Sequence, residues 1–399
     1  MKLASAMAAV VACGSAVLLA PGAAQAAAPQ TIGEYQRWYY DDYLKIPEVQ
    51  RAAGSRGEGV TIALIDSGVD VTRPDLKDAD IRDGGGYGNS GAGESGLKDL
   101  GYHGTAMASI IVGQGTDENH LKGIAPEVTL LSIQIGAESQ GETTHSEAIR
   151  AAVDQGADII NMSISRINPT GDLTYINPLD REAAAYALGK GVIIIAGAGN
   201  VEQTGPVIGP PANIPGVVAV SGLDKNGEFW TGAAEGPEAA IAAPAVEIFA
   251  AVPETHQLSG YGNSTGTSSA TAIVSGIAAL IKAKHPDLDA ANLINRLTAT
   301  ARDQGPDGRD PQYGFGAIDA AAAVGADVPA VSANPVGDPM DGADTGASPP
   351  AEERSFLDEY LWVLVAGGLA MVLLVAVIGA IAARRTKPAP PGYPQPYRR

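Results

Sequence analysis

Three glycine-framed segments each carry one of the residues that nucleophilic acyl transfer needs, in the order carboxylate, imidazole, hydroxyl. They are Thr61-Ile62-Ala63-Leu64-Ile65-Asp66-Ser67-Gly68, Gly101-Tyr102-His103-Gly104-Thr105 and Gly266-Thr267-Ser268-Ser269-Ala270. A serine hydroxyl is a poor nucleophile until a base takes its proton, and an imidazole acts as that base when a carboxylate fixes its tautomer. Ser268 is therefore the candidate nucleophile, His103 the base and Asp66 the orienting acid. Ser269 is the obvious rival hydroxyl, but the Gly-Thr-Ser frame selects Ser268, and Ser264 has no such frame. Of the five histidines, His120, His145, His256 and His285 lack a glycine-bounded turn and read as solvated groups or caps.

Such residues need rigid elements to hold them. Five nearly continuous apolar runs, at 60–65, 130–135, 159–164, 192–196 and 217–220, read as strands buried on both faces, which is the pattern of a parallel sheet. Helical patterns lie between them: after His103, from an N-cap at Ser146, through 181–188, over 268–284 and over 289–300. The alternation predicts an α/β fold of three layers, a mainly parallel central sheet with helices on both faces. Asp66 then closes a strand, at the sheet end where open α/β folds bind ligands. Ser268 opens a helix, so its own N–H points out with the helix's positive end, beside where negative charge would develop on an attacked carbonyl.

The three segments resemble those of the subtilisin-like serine proteases, which carry the triad in this same order. The resemblance covers about residues 58–325 and implies a serine endopeptidase. It implies that Asn200, closing the run Val192-Ile193-Ile194-Ile195-Ala196-Gly197-Ala198-Gly199-Asn200, supplies a side-chain N–H₂ to the oxyanion hole beside the Ser268 backbone. Gly197, Ala198 and Gly199 would line the pocket for the residue before the cut. Ser163, Ile164 and Ser165 resemble a strand that pairs with extended substrate, and Ile133 and Gly136 belong to a partner strand on the other side. Ser165 stands where relatives usually have glycine, Ala272 where they have proline and Ala106 where they often have a second histidine. Calcium is plausible for the family; Asp75 alone is weak support, no ligand loop has convincing spacing, and the chemistry requires no cofactor or metal. A lipase reading fails, because Gly-x-Ser-x-Gly and the order Ser, Asp, His are both missing.

Targeting signals frame this core. Residues 1–26 read as a signal peptide: Lys2, an apolar run, then Ala24-Gln25-Ala26 as cleavage site, with the only cysteine, Cys13, inside it. An N-terminal extension follows at 27–57, whose aromatic cluster Tyr35-Gln36-Arg37-Trp38-Tyr39-Tyr40 should pack on the peptidase domain at 58–325. Residues 326–356, rich in Pro, Gly and Asp, read as a linker. The run 361–383 holds 23 residues without a charge, long enough to cross a bilayer as a helix. Arg384, Arg385 and Lys387 open the basic, proline-rich tail 384–399, so positive residues place the tail in the cytoplasm and the peptidase outside the cell membrane. With 26 Lys+Arg against 45 Asp+Glu the chain is acidic, which excludes a nucleic-acid footprint.

This layout, with a short extension in place of a long prodomain, most resembles the mycosins, proteases associated with type VII secretion. That likeness implies protein or peptide substrates and contact with the secretion machinery. Two other readings fit the layout: a catalytically silent scaffold in such a complex, or a general extracellular subtilase. Survival of Asp66, His103, Ser268 and Asn200 argues against the silent scaffold.

Overall fold

The computed structural model describes residues 31–88, 94–136, 143–164 and 172–341. The described chain opens with α1 (Ile32–Arg37), a π-helical turn (Trp38–Tyr43) and α2 (Ile46–Ala53). There follow β1 (Thr61–Asp66), β2 (Ile81–Tyr87), α3 (His103–Val112), β3 (Thr129–Ile135), α4 (Thr144–Asp154), β4 (Ile159–Met162) and α5 (Pro178–Gly189). Next come β5 (Ile193–Gly197), α6 (Val201–Thr204), β6 (Val218–Leu223), β7 (Ala239–Pro244), β8 (Ile248–Ala251) and β9 (Tyr261–Ser264). The long helix α7 (Thr267–Lys284), α8 (Ala290–Ala299) and α9 (Ala320–Gly325) complete the set.

Seven strands form one parallel sheet in the order β2-β3-β1-β4-β5-β6-β7, and β8 pairs with β9 in a separate antiparallel ribbon. Apolar side chains alternate between the sheet's two faces. Ile62 and Leu64 join a core with Met107, Ile273 and Ile277 under α3 and α7. Ala63 and Ile65 join the opposite core with Ile149 and Ala184 under α4 and α5. Covering on both faces is why the strand sequences read as unbroken apolar runs. β1 lies between β3 and β4, with Asp66 level with Gln134 and Leu64 level with Asn161. The chain thus leaves β1 to one side and returns on the other, a switch point that opens a crevice at the strands' C-terminal ends.

Two strands of the sheet escaped the apolar-run criterion. β2 carries three glycines and two charged residues, tolerated at an edge that pairs on one side only. β7 is mostly alanine, a poor strand former kept extended by burial along its whole length. Helix α4 starts at Thr144 rather than after Ser146; the Ser146 hydroxyl donates to the Thr143 carbonyl at 2.8 Å instead of capping. Asp289 does cap α8, accepting from Asn292 N–H at 2.8 Å.

The aromatic extension packs as its composition suggested. Tyr39 and Tyr40 are buried, and their hydroxyls donate to the carbonyls of Phe249 and Gly123 at 3.2 and 3.3 Å. The expected linker, by contrast, begins later than residue 326. Asn295 Nδ2 donates to the Pro329 carbonyl at 3.0 Å, Val331 N–H to Asn292 Oδ1 at 2.9 Å, and Gly216 N–H to the Val336 carbonyl at 3.0 Å. Val336 is buried in the α7-side core. Proline-rich composition concealed this docking because backbone groups and a single valine carry it. The leader 1–26, the apolar run 361–383 and the tail 384–399 lie outside the described residues. Among the described residues no helix is long and apolar enough to cross a membrane.

Candidate active site

The end of β1 and the start of α3 bring a carboxylate against an imidazole. His103 Nδ1 lies 2.8 and 2.9 Å from the two Asp66 oxygens, and Asp66 itself is buried. Burial would push the imidazole's pKa down, but the charge and hydrogen bond of Asp66, with Asp99 further off, outweigh it and hold His103 above its ordinary value. Gly104 permits the close approach: a Cβ there would meet the Gly68 carbonyl oxygen at 2.1 Å.

Asp99, which no motif singled out, organises this corner. It accepts from the Ser67 hydroxyl at 2.7 Å, from Gly101 N–H at 2.9 Å and from Thr105 N–H at 3.0 Å, with the Thr105 hydroxyl also bound. The Ser67 oxygen in turn accepts Gly104 N–H at 2.9 Å, tying the turn after Asp66 to the first turn of α3. The only local signal in sequence is an Asp two residues before Gly101, the spacing of an Asx turn.

The start of α7 faces this pair. Ser268 is its second residue and half-buried, and its hydroxyl donates to the Ser163 carbonyl at 3.0 Å. Thr267 N–H donates to Asn200 Oδ1 at 3.0 Å and Ser269 N–H to the Gly266 carbonyl at 3.1 Å. The Ser268 N–H between them belongs to the first helical turn and has no helix carbonyl to reach. Ser269 is fully buried and bonded to Ser264 Oγ at 2.7 Å, and neither rival serine lines the cleft that holds Asp66, His103 and Ser268 together. Helix α7 runs unbroken through Ala272.

A cleft of about 340 Å³ contains Asp66, His103, Ser163, Asn200 and Ser268. Ile164, Gly136, Gly197 and Gly199 also line it, as read from the sequence, whereas Ser165 lies outside the described residues. Ile133 and Ala198 do not line it. Both are fully buried in the core under α4 and α5: Ile133 lies inside β3, short of the C-terminal end where Ile135 and Gly136 reach the cleft, and Ala198 packs inward between Gly197 and Gly199. Ser163 sits just past β4, its hydroxyl 3.0 Å from both Asn161 Oδ1 and the Ser268 carbonyl; Asn161 Nδ2 donates to Ser275 Oγ at 2.9 Å. This buried polar chain, missed in the sequence because Asn161 sits mid-strand, locks β4 to α7. His145 is a correction: it is buried, lines the cleft, and its Nδ1 lies 3.8 Å from Asp180 Oδ2. The earlier start of α4 turns it inward.

Asp75 is held in the protein: its two oxygens accept from Leu121 N–H at 2.8 Å and the Tyr261 hydroxyl at 2.7 Å. Among the described residues no three His, Cys, Asp or Glu side chains gather to hold a metal.

The arrangement can activate a serine for attack and stabilise an oxyanion beside it. The subtilase family model matches residues 57–316. The chain belongs to the subtilase family. Subtilisin DY of Bacillus licheniformis is 33% identical over 70% of this subtilase and 96% of its own length. Mycosin-1 of Mycobacterium tuberculosis is 31% identical over 76% of the chain and 77% of its own. A solved chain from the periplasmic assembly of the ESX-5 inner membrane complex superposes with a TM-score of 0.65, at 27% identity over 77% of the chain and 88% of that one. This subtilase is thus a serine endopeptidase with the three-layer subtilisin fold, similar to the mycosins.

Proposed function

We propose that this enzyme cuts extended peptide segments by an Asp66–His103–Ser268 triad, with Asn200 and the Ser268 N–H forming the oxyanion hole. The Ser268 hydroxyl turns from the Ser163 carbonyl to His103 Nε2, which takes its proton as Oγ attacks the substrate carbonyl. Asp66 holds the Nδ1–H tautomer and offsets the imidazolium charge. The carbonyl oxygen becomes an oxyanion between Asn200 Nδ2 and Ser268 N–H. His103 then protonates the leaving amine as the C–N bond breaks, and water repeats the sequence to release the acid. Each proton moves between side chains already in the cleft, so no cofactor is required. Substrate lies along Ser163, Ile164 and Ser165 on one side and Gly136 on the other, pairing by its backbone.

The single observation that carries this reading is the Asp66–His103 pair facing Ser268 across one cleft. A fluorophosphonate probe tests it: the wild type is labelled on Ser268, and Ser268→Ala is not. Labelling at another serine would overturn the assignment.

We further propose that the enzyme works outside the cell membrane, tethered by 361–383 with the basic tail in the cytoplasm, in contact with a type VII secretion complex. The likeness to mycosin-1 and to the ESX-5 chain supports this placement. Loss of secretion on deleting the gene, restored by the wild type, would support the link; unaffected secretion would leave a general extracellular protease.

A further inference from the structure

The orientation of the Asn200 carboxamide follows from one donor that cannot be reversed. Thr267 N–H is a backbone group and can only donate, so the Asn200 atom it meets at 3.0 Å is Oδ1. The Thr267 hydroxyl meets the same oxygen at 3.2 Å. Nδ2 must then face the opposite way, where it donates to Gln203 Oε1 at 2.9 Å. Gln203 sits one short helical turn after Asn200, its N–H bonded to the Asn200 carbonyl at 2.8 Å. Its exposed side chain borders both the main cleft and a second one of about 270 Å³ on the far side of His103 and Ser268.

A carboxamide nitrogen carries two hydrogens. With one held by Gln203, the other is fixed in the amide plane. We propose that Gln203 is a positioning residue, setting the plane of the Asn200 carboxamide so that its second N–H meets the oxyanion. This inference rests on the oxyanion role proposed above for Asn200. Gln203 accepts only from Asn200 in this scheme, so its effect passes wholly through Asn200 and is felt in the transition state rather than in substrate binding. Oxyanion donors act by being oriented before charge develops, which is why a neighbour that only orients one still affects the rate.

The test is a double-mutant cycle on peptide hydrolysis, with a peptidyl aldehyde as transition-state probe. Gln203→Leu and Gln203→Met each remove the acceptor; at an exposed site neither should alter the thermal midpoint. Each is expected to lower kcat roughly fivefold, the size of one neutral hydrogen bond, with KM nearly unchanged and aldehyde affinity falling in parallel. In an Asn200→Ala background, neither should lower kcat further. An equal loss in both backgrounds would overturn the inference by showing that Gln203 acts on substrate directly. A rise in KM alone would overturn it too. An unchanged kcat for Asn200→Ala by itself would instead remove the oxyanion assignment beneath it.

Discussion

Asp66 has two effects on His103 that a single substitution separates by their pH dependence. It fixes which ring nitrogen carries the proton, and its charge raises the imidazole's pKa against the opposing effect of burial. The base must be neutral to accept the Ser268 proton, so a raised pKa moves the acid limb of kcat/KM to higher pH. Asp66→Ala is therefore expected to lower kcat by about 10⁴-fold and to shift that limb to lower pH. A large loss with an unmoved limb would mean that Asp66 does not set the charge on His103. Asp66, His103, Ser268 and Asn200 could be found in the sequence because each stands in a short frame of small residues that leaves room for substrate. Asp99 and Gln203 could not. Asp99 meets Ser67 only through the tertiary fold, its one local trace being the Asx-turn spacing before Gly101, and Gln203 meets Asn200 across a short helical turn that carries no chemical signature.

At the scale of elements, the proposed triad depends on how closely α3 approaches the turn after β1. Gly104→Ala puts a Cβ 2.1 Å from the Gly68 carbonyl oxygen, a backbone atom, so the helix must retreat from Asp66. The expected cost is about 1–3 kcal/mol of stability together with a fall in kcat. Gly189→Ala is the control: it ends α5 with nothing within 4 Å of the added carbon and should be neutral or mildly stabilising in thermal unfolding. Equal behaviour of the two variants would contradict this account of the corner. The apolar runs revealed β1, β3, β4, β5 and β6 because helices cover both faces there. β2 and β7 stayed hidden, since glycine at one exposed edge and alanine at the other, fully buried edge reflect space rather than strand preference. His145 was misread for a related reason: a helix start displaced by three residues takes the side chain into the helix and into the cleft wall.

For the whole molecule, the boundary of the folded peptidase falls beyond residue 326. A chain ending at residue 340 keeps the bonds from Asn292, Asn295 and Gly216 to the closing segment, whereas one ending at 325 loses them along with buried Val336. The longer form should unfold several degrees higher; equal midpoints would show that the segment adds nothing. Composition alone placed this stretch in the linker, because docking through backbone carbonyls leaves no apolar pattern. The proposed tether makes a separate prediction. Protease added to intact cells should remove the catalytic domain and spare an epitope in 384–399, and the reverse pattern would invert the topology read from Arg384, Arg385 and Lys387.

The most direct measurement of the central claim is peptide hydrolysis by Ser268→Ala. Alanine fits the first turn of α7 without strain, so the thermal midpoint should stay at the wild-type value while kcat falls by about 10⁶-fold, the loss seen when a triad nucleophile is removed. A folded Ser268→Ala protein that retained most of its peptidase activity would contradict the assignment of the nucleophile and the mechanism built on it.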